Sequence, residues 1–387
     1  MINGATELSP VARAAAVFSG PVSVAARTTV PVILRATEAE ATGARMQVGG
    51  IRVVERAIRQ LARLRDVHVV VVDDGSIPLP RRLPRNMERR TIAADGDNGD
   101  LEAGIERLRT ELGPETAIVG ADMVWLQPGR FDKGTRVVDA ASRRAANDSV
   151  FWEVERETVG LVDRILNQKI SSRLTRLLLV HLPVAPAFVT LLAGFIGLYG
   201  ALLVASGTWL GVVTGFVVLE GYVILDGCAN DLARVRLHQT ALGAWLDTAV
   251  GDFVNVVMIL AVGLGLWHHG GTILDMKMAL AAAGMTLFYV AVCYRELMRQ
   301  GEGDVMKLRW WFAYGQALKN VSGAGSNSIK NVMLLGRRDF VILLAIGLAY
   351  FDQLPVVLLY LLIIGIVRAA GALGQLLTPD WRVRPPA

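Results

Sequence analysis

The chain has 387 residues, of which 53% are hydrophobic, and its mean hydropathy is +0.42. Its length is enough for two domains, but so apolar a composition excludes a pair of ordinary soluble domains. The formal net charge is +5, and the Lys and Arg residues lie beside apolar runs. That placement favours an anionic membrane surface as the partner and argues against nucleic acid.

The first part of the chain has the pattern of an α/β domain. Residues 1–27 lack a basic start and a continuous apolar core, so we expect a loose leader there and not a secretory signal. Short β-branched runs then alternate with amphipathic helical stretches, an order typical of a parallel sheet. The predicted strands are 28–36, 67–76 and 115–125, and the predicted helices are 51–65 and 101–112. We therefore expect a parallel α/β domain over residues 28–150.

The second part predicts an all-α membrane domain over residues 184–376, followed by a tail at 377–387. Before it, residues 159–180 place basic residues among apolar ones at helical spacing, which predicts an interfacial amphipathic helix. Six apolar runs follow, and a membrane crossing needs about 20 such residues. The runs are 184–205, 209–226, 248–267, 276–294, 339–352 and 355–376. The fifth run is short and is limited by Asp352. We expect six transmembrane helices.

Charge asymmetry predicts the orientation of these helices. Lys and Arg occur in the connections between the second and third runs and between the fourth and fifth runs. The opposite connections, SGT, HHGGTILD and FDQLP, contain neither residue. By the positive-inside rule, both chain ends and the α/β domain are expected on the cytoplasmic side of an inner or plasma membrane.

The most informative stretch is LDGCANDLARVRLHQTALGAWLDTAVGDF, residues 225–253. It places Asp226 at the end of the second run and Asp247 at the start of the third. Ionisable residues at such positions are candidates for a functional site. The alternative is that both are helix-end charges that face water.

This stretch resembles the signature of CDP-alcohol phosphotransferases, also called CDP-alcohol phosphatidyltransferases, which are integral membrane enzymes with six helices. Their pattern is D-x-x-D-G-x-x-A-R, eight residues, then G-x-x-x-D-x-x-x-D, and the resemblance covers about residues 160–376. It implies that Asp226 and Asp247 bind Mg²⁺ or Mn²⁺, with a CDP-alcohol donor or a related nucleotide as ligand. It also implies a homodimer in a lipid bilayer. The residues that the resemblance places near CDP are Asn230, Ala233, Arg234 and Gly243.

Three positions depart from the family pattern: Ala229 replaces an acid, Asn230 a glycine, and Gly251 the last acid. Two spare acids are adjacent, but at about 100° per residue each lies about 140° around its helix from the matching acid. These are Asp231 and Asp252. A bulge or kink near Gly251 would be needed for Asp252 to act as a reserve base. The retained set suits one hydrated Mg²⁺ better than a two-metal site.

The N-terminal half resembles sugar-nucleotide-type nucleotidyltransferases in the segment VILRATEAEATGARMQVGGIRVVERAI. Fusions of such a domain with a CDP-alcohol phosphotransferase are the bifunctional inositol-phosphate cytidylyltransferase/phosphate synthase proteins. The glycine-rich loop of that family is replaced by TEAEATGAR, whose two glutamates would repel a triphosphate. Asp122 follows a strand where the family binds metal, although capping that strand is the favoured interpretation. Arg45 is a candidate nucleotide contact.

Several polar residues keep two interpretations. Arg337 and Arg338 either bind a substrate phosphate or anchor the fifth run on the positive side. His268 and His269 are expected to be loop residues and not metal ligands. The whole protein is either a metal-dependent transferase that releases CMP in phospholipid or inositol-phosphate synthesis, or a pseudoenzyme that serves as a membrane binding or scaffold protein.

Overall fold

The structure is a computed structural model that describes residues 30–64, 67–91, 98–126, 130–156, 166–300, 308 and 336–377. These residues form two compact units that divide after Arg156, with the short segment Val235–Leu237 grouped with the first unit. The N-terminal region contains a parallel sheet and the C-terminal region is helical. The predicted fold classes of the two regions are therefore confirmed.

The first unit is built on a four-stranded sheet with strand order β5-β4-β1-β6, in which every neighbouring pair is parallel. Its strands are β1 (Val30–Ala36), β4 (Val67–Asp73), β5 (Met87–Thr91) and β6 (Ala117–Gly120). Two short antiparallel pairs accompany the sheet. They join β2 (Gln47–Val48) to β3 (Ile51–Arg52) and β7 (Met123–Val124) to β8 (Thr135–Arg136).

Both faces of the sheet are covered, which explains why the central strands are continuous apolar runs. The helices of this unit are α1 (Glu38–Arg45), α2 (Val53–Ala62), α3 (Asn98–Leu112) and α4 (Ala140–Arg156). Successive strand residues point to opposite faces. Accordingly Val32 and Leu34 of β1 share a buried cluster with α2, whereas Ile33 between them is buried with Ile105 of α3.

The second unit contains seven described helices. They are α5 (Gln168–Leu177), α6 (Pro186–Ala205), α7 (Trp209–Val235), α8 (Ala241–His268), α9 (Ile273–Gln300), α10 (Arg338–Tyr350) and α11 (Leu354–Leu377). Within the described ranges, five helices are long and apolar enough to cross a membrane, namely α6, α7, α8, α9 and α11. An apolar cluster from α6–α11 forms the centre of the bundle. The chain is therefore an integral membrane protein.

The sixth predicted crossing, 339–352, corresponds to α10. This helix has 13 residues, a length of about 20 Å at 1.5 Å per residue, against a hydrocarbon core of about 30 Å. A sixth span therefore stays a prediction. So does the interfacial position of 159–180, since only residues 166–180 of that segment are described and 168–177 form α5.

Helix α10 runs antiparallel to α7 and contacts it at both ends. At one end the indole Nε1 of Trp209 donates a hydrogen bond of 3.0 Å to the main-chain oxygen of Tyr350, and the two rings pack with centroids 6.0 Å apart. At the other end the side chain of Arg338 reaches Asp226. The short helix thus has fixed contacts at both of its termini.

Helices α7 and α8 extend beyond the second and third apolar runs. Helix α7 continues to Val235, nine residues past Asp226, and α8 begins at Ala241, so Asp226 and Asp247 lie inside helices. The hydroxyl of Thr240 accepts a hydrogen bond of 3.0 Å from the amide of Gly243 and caps α8 at that earlier start. Both acids are therefore held on regular helix.

Helices α6 and α7 approach each other through glycine. A Cβ placed at Gly215 would lie 2.7 Å from the main-chain oxygen of Gly200, and a Cβ at Gly200 would lie 2.9 Å from that of Gly215. Small residues permit such approach between membrane helices. A Cβ at Gly221, two turns further along α7, would meet no atom within 4 Å.

This contrast predicts the effect of two matched substitutions in α7. Gly215→Ala should destabilise the protein by about 1–3 kcal/mol, because the new methyl group forces the α6 and α7 backbones apart. Gly221→Ala should be neutral or slightly stabilising, since alanine is the better helix former. Thermal unfolding of both variants in detergent micelles measures the difference, and equal melting temperatures would contradict the packing argument.

Candidate functional site

Helices α7 and α8 bring three of the sequence-predicted residues together. Asp226 and Asn230 are four residues apart on α7 and share one face, which looks onto Asp247 of α8. The Nδ2 of Asn230 contacts both carboxylate oxygens of Asp247 at 3.4 Å and the main-chain oxygen of Asp226 at 3.3 Å. The carboxylates of Asp226 and Asp247 lie within hydrogen-bonding distance of each other. We name this group the acid pair.

Arg338, from the start of α10, is the cation of the acid pair. Its Nη2 donates to Oδ2 of Asp226 at 2.5 Å, and its Nη1 donates to the hydroxyl of Tyr222. The guanidinium carbon also lies 4.8 Å from the centre of the Tyr222 ring. Arg337, the other candidate phosphate ligand, instead has its Nε 3.2 Å from Oδ1 of Asp339. The two arginines therefore contact different side chains.

The arginine occupies the space that the last family acid would need. A Cβ placed at Gly251 would lie 2.8 Å from Nη1 of Arg338. A side chain of any size at position 251 would thus displace the guanidinium. Sequence reasoning recorded both the loss of the acid at 251 and the presence of Arg338, but it did not connect them, because no local pattern links two such distant positions.

One oxygen of the acid pair lacks a donor. Asp226 is only 6% exposed, and its Oδ1 receives no hydrogen bond from any described residue. Carboxylate oxygens are the ligands that Mg²⁺ prefers, and Mg²⁺ keeps several of its waters when one or two carboxylates bind it. The donor set of Asp226 and Asp247 therefore fits one such ion. Among the described residues, no three His, Cys, Asp or Glu side chains lie close enough to form a larger metal site.

The two spare acids point away from the acid pair. Asp231 accepts hydrogen bonds from Ser171 at 2.9 Å and from Gln168 at 3.0 Å, both on α5. Asp252 accepts a hydrogen bond from the hydroxyl of Tyr294 on α9. Helix α8 is regular through Gly251, so the bulge that would turn Asp252 toward Asp247 is not formed. The geometry does not favour Asp252 as the reserve base.

The other predicted nucleotide contacts are Ala233, Arg234 and Gly243. Ala233 lies about two turns beyond Asp226, close to the same face of α7, and Arg234 lies about 80° from that face. Gly243 lies one turn before Asp247, and a Cβ there would meet only the Thr240 hydroxyl, at 3.0 Å. Their roles toward a nucleotide stay predictions.

His268 is the last residue of α8 and His269 caps that helix, and each ring contacts a main-chain oxygen. A ring nitrogen of His268 lies 2.7 Å from the main-chain oxygen of Ala205, and one of His269 lies 3.0 Å from that of Gly207. They tie the end of α8 to the connection between α6 and α7.

In the N-terminal unit, the segment that replaces a glycine-rich loop forms α1, and its N-terminus is already occupied by carboxylates. Oε2 of Glu40 accepts hydrogen bonds from the amide and hydroxyl of Thr37, at 3.2 and 2.5 Å. Oδ2 of Asp74 accepts from the amide of Glu38 at 2.8 Å. Free amides at a helix N-terminus bind phosphate. Here two side chains of the same unit satisfy them.

The remaining nucleotide candidates of this unit also have internal partners. Asp122 forms a 2.7 Å ion pair with Arg136, and Arg45 donates to the main-chain oxygen of Ser76 at 2.5 Å. A Cβ at Gly43 would lie 1.7 Å from the main-chain oxygen of Val137. The single glycine kept from the motif is thus required for backbone packing.

Taken together, apolar helices with an acid pair between them, in one chain with a parallel α/β unit, define a class of two-part integral membrane proteins. No protein-family model matches the chain. Three relatives have the name bifunctional IPC transferase and DIPP synthase. That of Aquifex aeolicus is 28% identical over 107 residues, covering 28% of this chain and 24% of its own length. That of Archaeoglobus fulgidus is 26% identical over 122 residues, covering 32% and 24%.

The third relative, from Rubrobacter xylanophilus, is 32% identical over 148 residues, which is 38% of this chain and 29% of the relative. The chain thus matches less than a third of the length of each of these relatives. Their shared name confirms the resemblance to fused nucleotidyltransferase and CDP-alcohol phosphotransferase proteins.

The pKa values of two acids in the N-terminal unit are shifted in opposite directions. Burial raises the pKa of Asp122 above its ordinary value of 3.8, against the opposing effect of its Arg136 partner. Asp139, at the N-terminus of α4, accepts hydrogen bonds from the hydroxyl and amide of Ser142, and these lower its pKa below 3.8. The stabilising contribution of Asp122 is thus full below pH 3.8 and is lost as the pH rises through its folded pKa. That of Asp139 is present above pH 3.8 and is lost on acidification.

These signs predict opposite pH profiles for two Asp→Asn variants. Between about pH 4 and 7, Asp122→Asn should gain stability relative to the wild type, because only the wild type pays to ionise a buried acid. Asp139→Asn should lose stability relative to the wild type as the pH rises from about 3 to 5. Hydrogen exchange of peptides from β1 and β4 measures local opening in the full chain. Parallel profiles for the two variants would contradict both assignments.

Proposed function

We propose that the protein binds a CDP-linked alcohol at the acid pair and transfers its phospho-alcohol group to an alcohol acceptor, with release of CMP. The carrying observation is that Asp226 lies beside Asp247 and that its buried Oδ1 has no donor among the described residues. With Arg338 bonded to Asp226, two ionised carboxylates still leave one negative charge in excess, and a divalent cation that also binds a diphosphate balances it. The names of the relatives support the same reaction class.

Asp226, Asp247 and Arg338 would have different roles in this reaction. Asp226 and Asp247 would hold one Mg²⁺ or Mn²⁺, which when bound neutralises the charge that develops on the phosphoryl group. An ionised carboxylate has about four lone-pair sites, so one Asp247 oxygen remains to accept the proton of the acceptor hydroxyl. The acceptor oxygen forms a bond to phosphorus as the bridging P–O bond breaks, and CMP leaves with that electron pair. Arg338 adds a fixed positive charge beside the reacting diphosphate.

The environment of the reaction follows from the charge pattern of the chain. By the positive-inside rule, the acid pair and the N-terminal unit face the cytoplasm of an inner or plasma membrane. A site at that boundary can take one lipid-like and one soluble participant. A homodimer is the expectation from the family resemblance. The N-terminal unit, whose α1 amides are already satisfied, would not bind a nucleoside triphosphate in this assignment.

A second candidate function is that of a pseudoenzyme, a membrane binding or scaffold protein for a CDP-linked ligand. The position of Arg338 against Gly251, where the family has its last acid, specifically favours it. In that case the acid pair retains ligand binding, and the transfer reaction has been lost.

A turnover assay tests the first function. Purified protein with Mg²⁺ or Mn²⁺ and a panel of CDP-alcohols and acceptors should release CMP. Asp247→Asn should reduce the rate by about a hundredfold or more, because it removes a cation ligand and a proton acceptor together. Asp231→Asn is the matched control, since the residues that donate hydrogen bonds to Asp231 belong to α5. This variant should keep most of the wild-type rate.

A binding measurement separates the two functions. If CDP with Mg²⁺ raises the melting temperature while no acceptor gives CMP, the protein is a binder and the transferase proposal fails. If neither turnover nor a thermal shift occurs, both functions fail. An equal loss of rate in Asp231→Asn and Asp247→Asn would contradict the site assignment.

A further inference from the structure

We propose that the Arg338 guanidinium is a permanent cation of the acid pair and limits it to one divalent ion, held by Asp226 and Asp247. Gly251 provides the room for that guanidinium. The inference rests on the metal-binding part of the proposed function, but it concerns stoichiometry and affinity and requires no turnover.

The first argument is the division of the Asp226 carboxylate. Its Oδ2 is bonded to Arg338 at 2.5 Å, whereas its Oδ1 is buried and receives no hydrogen bond from the described residues. One oxygen is therefore committed to a guanidinium, and the other is available to an added cation. Among the described residues, the donor to Asp247 is Asn230, whose Nδ2 lies 3.4 Å from both carboxylate oxygens. Oδ1 of Asp226 and the Asp247 carboxylate are thus the oxygens available to an added cation.

The second argument is the fixed position of Arg338. Two hydrogen bonds, to Asp226 and Tyr222, and the Tyr222 ring hold the guanidinium in one orientation. The missing Cβ of Gly251 is what permits Nη1 to lie there, since any Cβ would be at 2.8 Å. An arginine side chain stays protonated in proteins, so this charge is present under all working conditions.

The third argument is the charge balance of the site. Two ionised carboxylates contribute two negative charges and Arg338 contributes one positive charge. One divalent ion brings the sum to a single positive charge, which suits an anionic diphosphate. A second divalent ion would have to approach within a few ångströms of both the guanidinium and the first ion. Repulsion at such distances costs several kcal/mol even at an effective dielectric constant of about 20.

The experiment counts ions directly. The full chain in neutral-detergent micelles is titrated with Mn²⁺, and free Mn²⁺ is followed by its electron paramagnetic resonance signal. The wild type should bind one Mn²⁺ per chain in a saturable manner, and Asp226→Asn or Asp247→Asn should abolish that binding. Two ions per wild-type chain, or none, would overturn the proposal.

Substitutions at Arg338 test the role of the guanidinium. Arg338→Met should bind Mn²⁺ at least about tenfold more tightly, because a neighbouring positive charge is removed. Arg338→Lys retains the charge and should stay within about threefold of the wild type. Arg338→Gln also removes the positive charge, so it should tighten binding as well, and it serves if Arg338→Met does not fold. Unchanged affinity in both of these folded variants would contradict the inference.

Two further variants complete the test. Arg337→Met removes the adjacent arginine, whose Nε lies against Asp339, and should change Mn²⁺ affinity by less than about twofold. The double variant Gly251→Asp with Arg338→Met replaces the guanidinium by a carboxylate and should bind a second Mn²⁺. A single ion in the folded double variant would show that Arg338 is not what sets the stoichiometry.

The outcomes distinguish this inference from the proposed function. One bound Mn²⁺ without CMP release would leave the inference standing and remove the transferase. CMP release by a protein that binds two Mn²⁺ ions would do the reverse.

Discussion

The ion pair between Arg338 and Asp226 is the interaction on which the second unit depends. A charged side chain within a membrane-spanning segment is costly unless it is paired. Here the acid accepts from a guanidinium that Tyr222 also orients. Breaking such a buried pair by removing one partner leaves an uncompensated charge, which is more costly than the pair itself. The pair therefore makes an acid tolerable in α7 and joins α10 to α7.

The two units have one feature in common. In each, a side chain of the protein occupies a place that the family resemblance gives to another group. In the second unit, the guanidinium lies where the acid side chain of position 251 would begin. In the first unit, Glu40 and Asp74 satisfy amides at the N-terminus of α1. In each place a side chain of the protein provides an interaction that does not require a bound molecule. The fold can therefore persist after the demands of a reaction are relaxed.

Sequence patterns were sufficient where structure is decided locally. The runs around Val32 and Val70 contain little except β-branched residues, and they form the centre of the parallel sheet. The four-residue spacing of Asp226 and Asn230 correctly predicted that they share one helix face. The angle of about 140° around the helix between Asp247 and Asp252 correctly predicted that Asp252 points elsewhere.

What could not be read from the sequence depends on distant partners or weak local signals. Strand β5 has the sequence MERRT, which lacks an apolar pattern. It lies at the edge of the sheet, and its extended conformation is stabilised by hydrogen bonds to β4. Helix α1 was missed, although Thr37 and Glu40 form a capping box, because the segment was interpreted only as the counterpart of a glycine-rich loop. The contact of Arg338 with Gly251 joins positions that only the helix bundle brings together.

The double attachment of α10 has a mechanical consequence. The Tyr350 contact with Trp209 and the Arg338 contact with Asp226 prevent this helix from sliding lengthwise along α7 unless one of them breaks. Pivoting at one terminus while the other stays fixed is the cheaper movement. Since the charge-assisted bond at the arginine end is the stronger attachment, the indole–carbonyl bond would break first, and α10 would turn about the end that stays beside the acid pair.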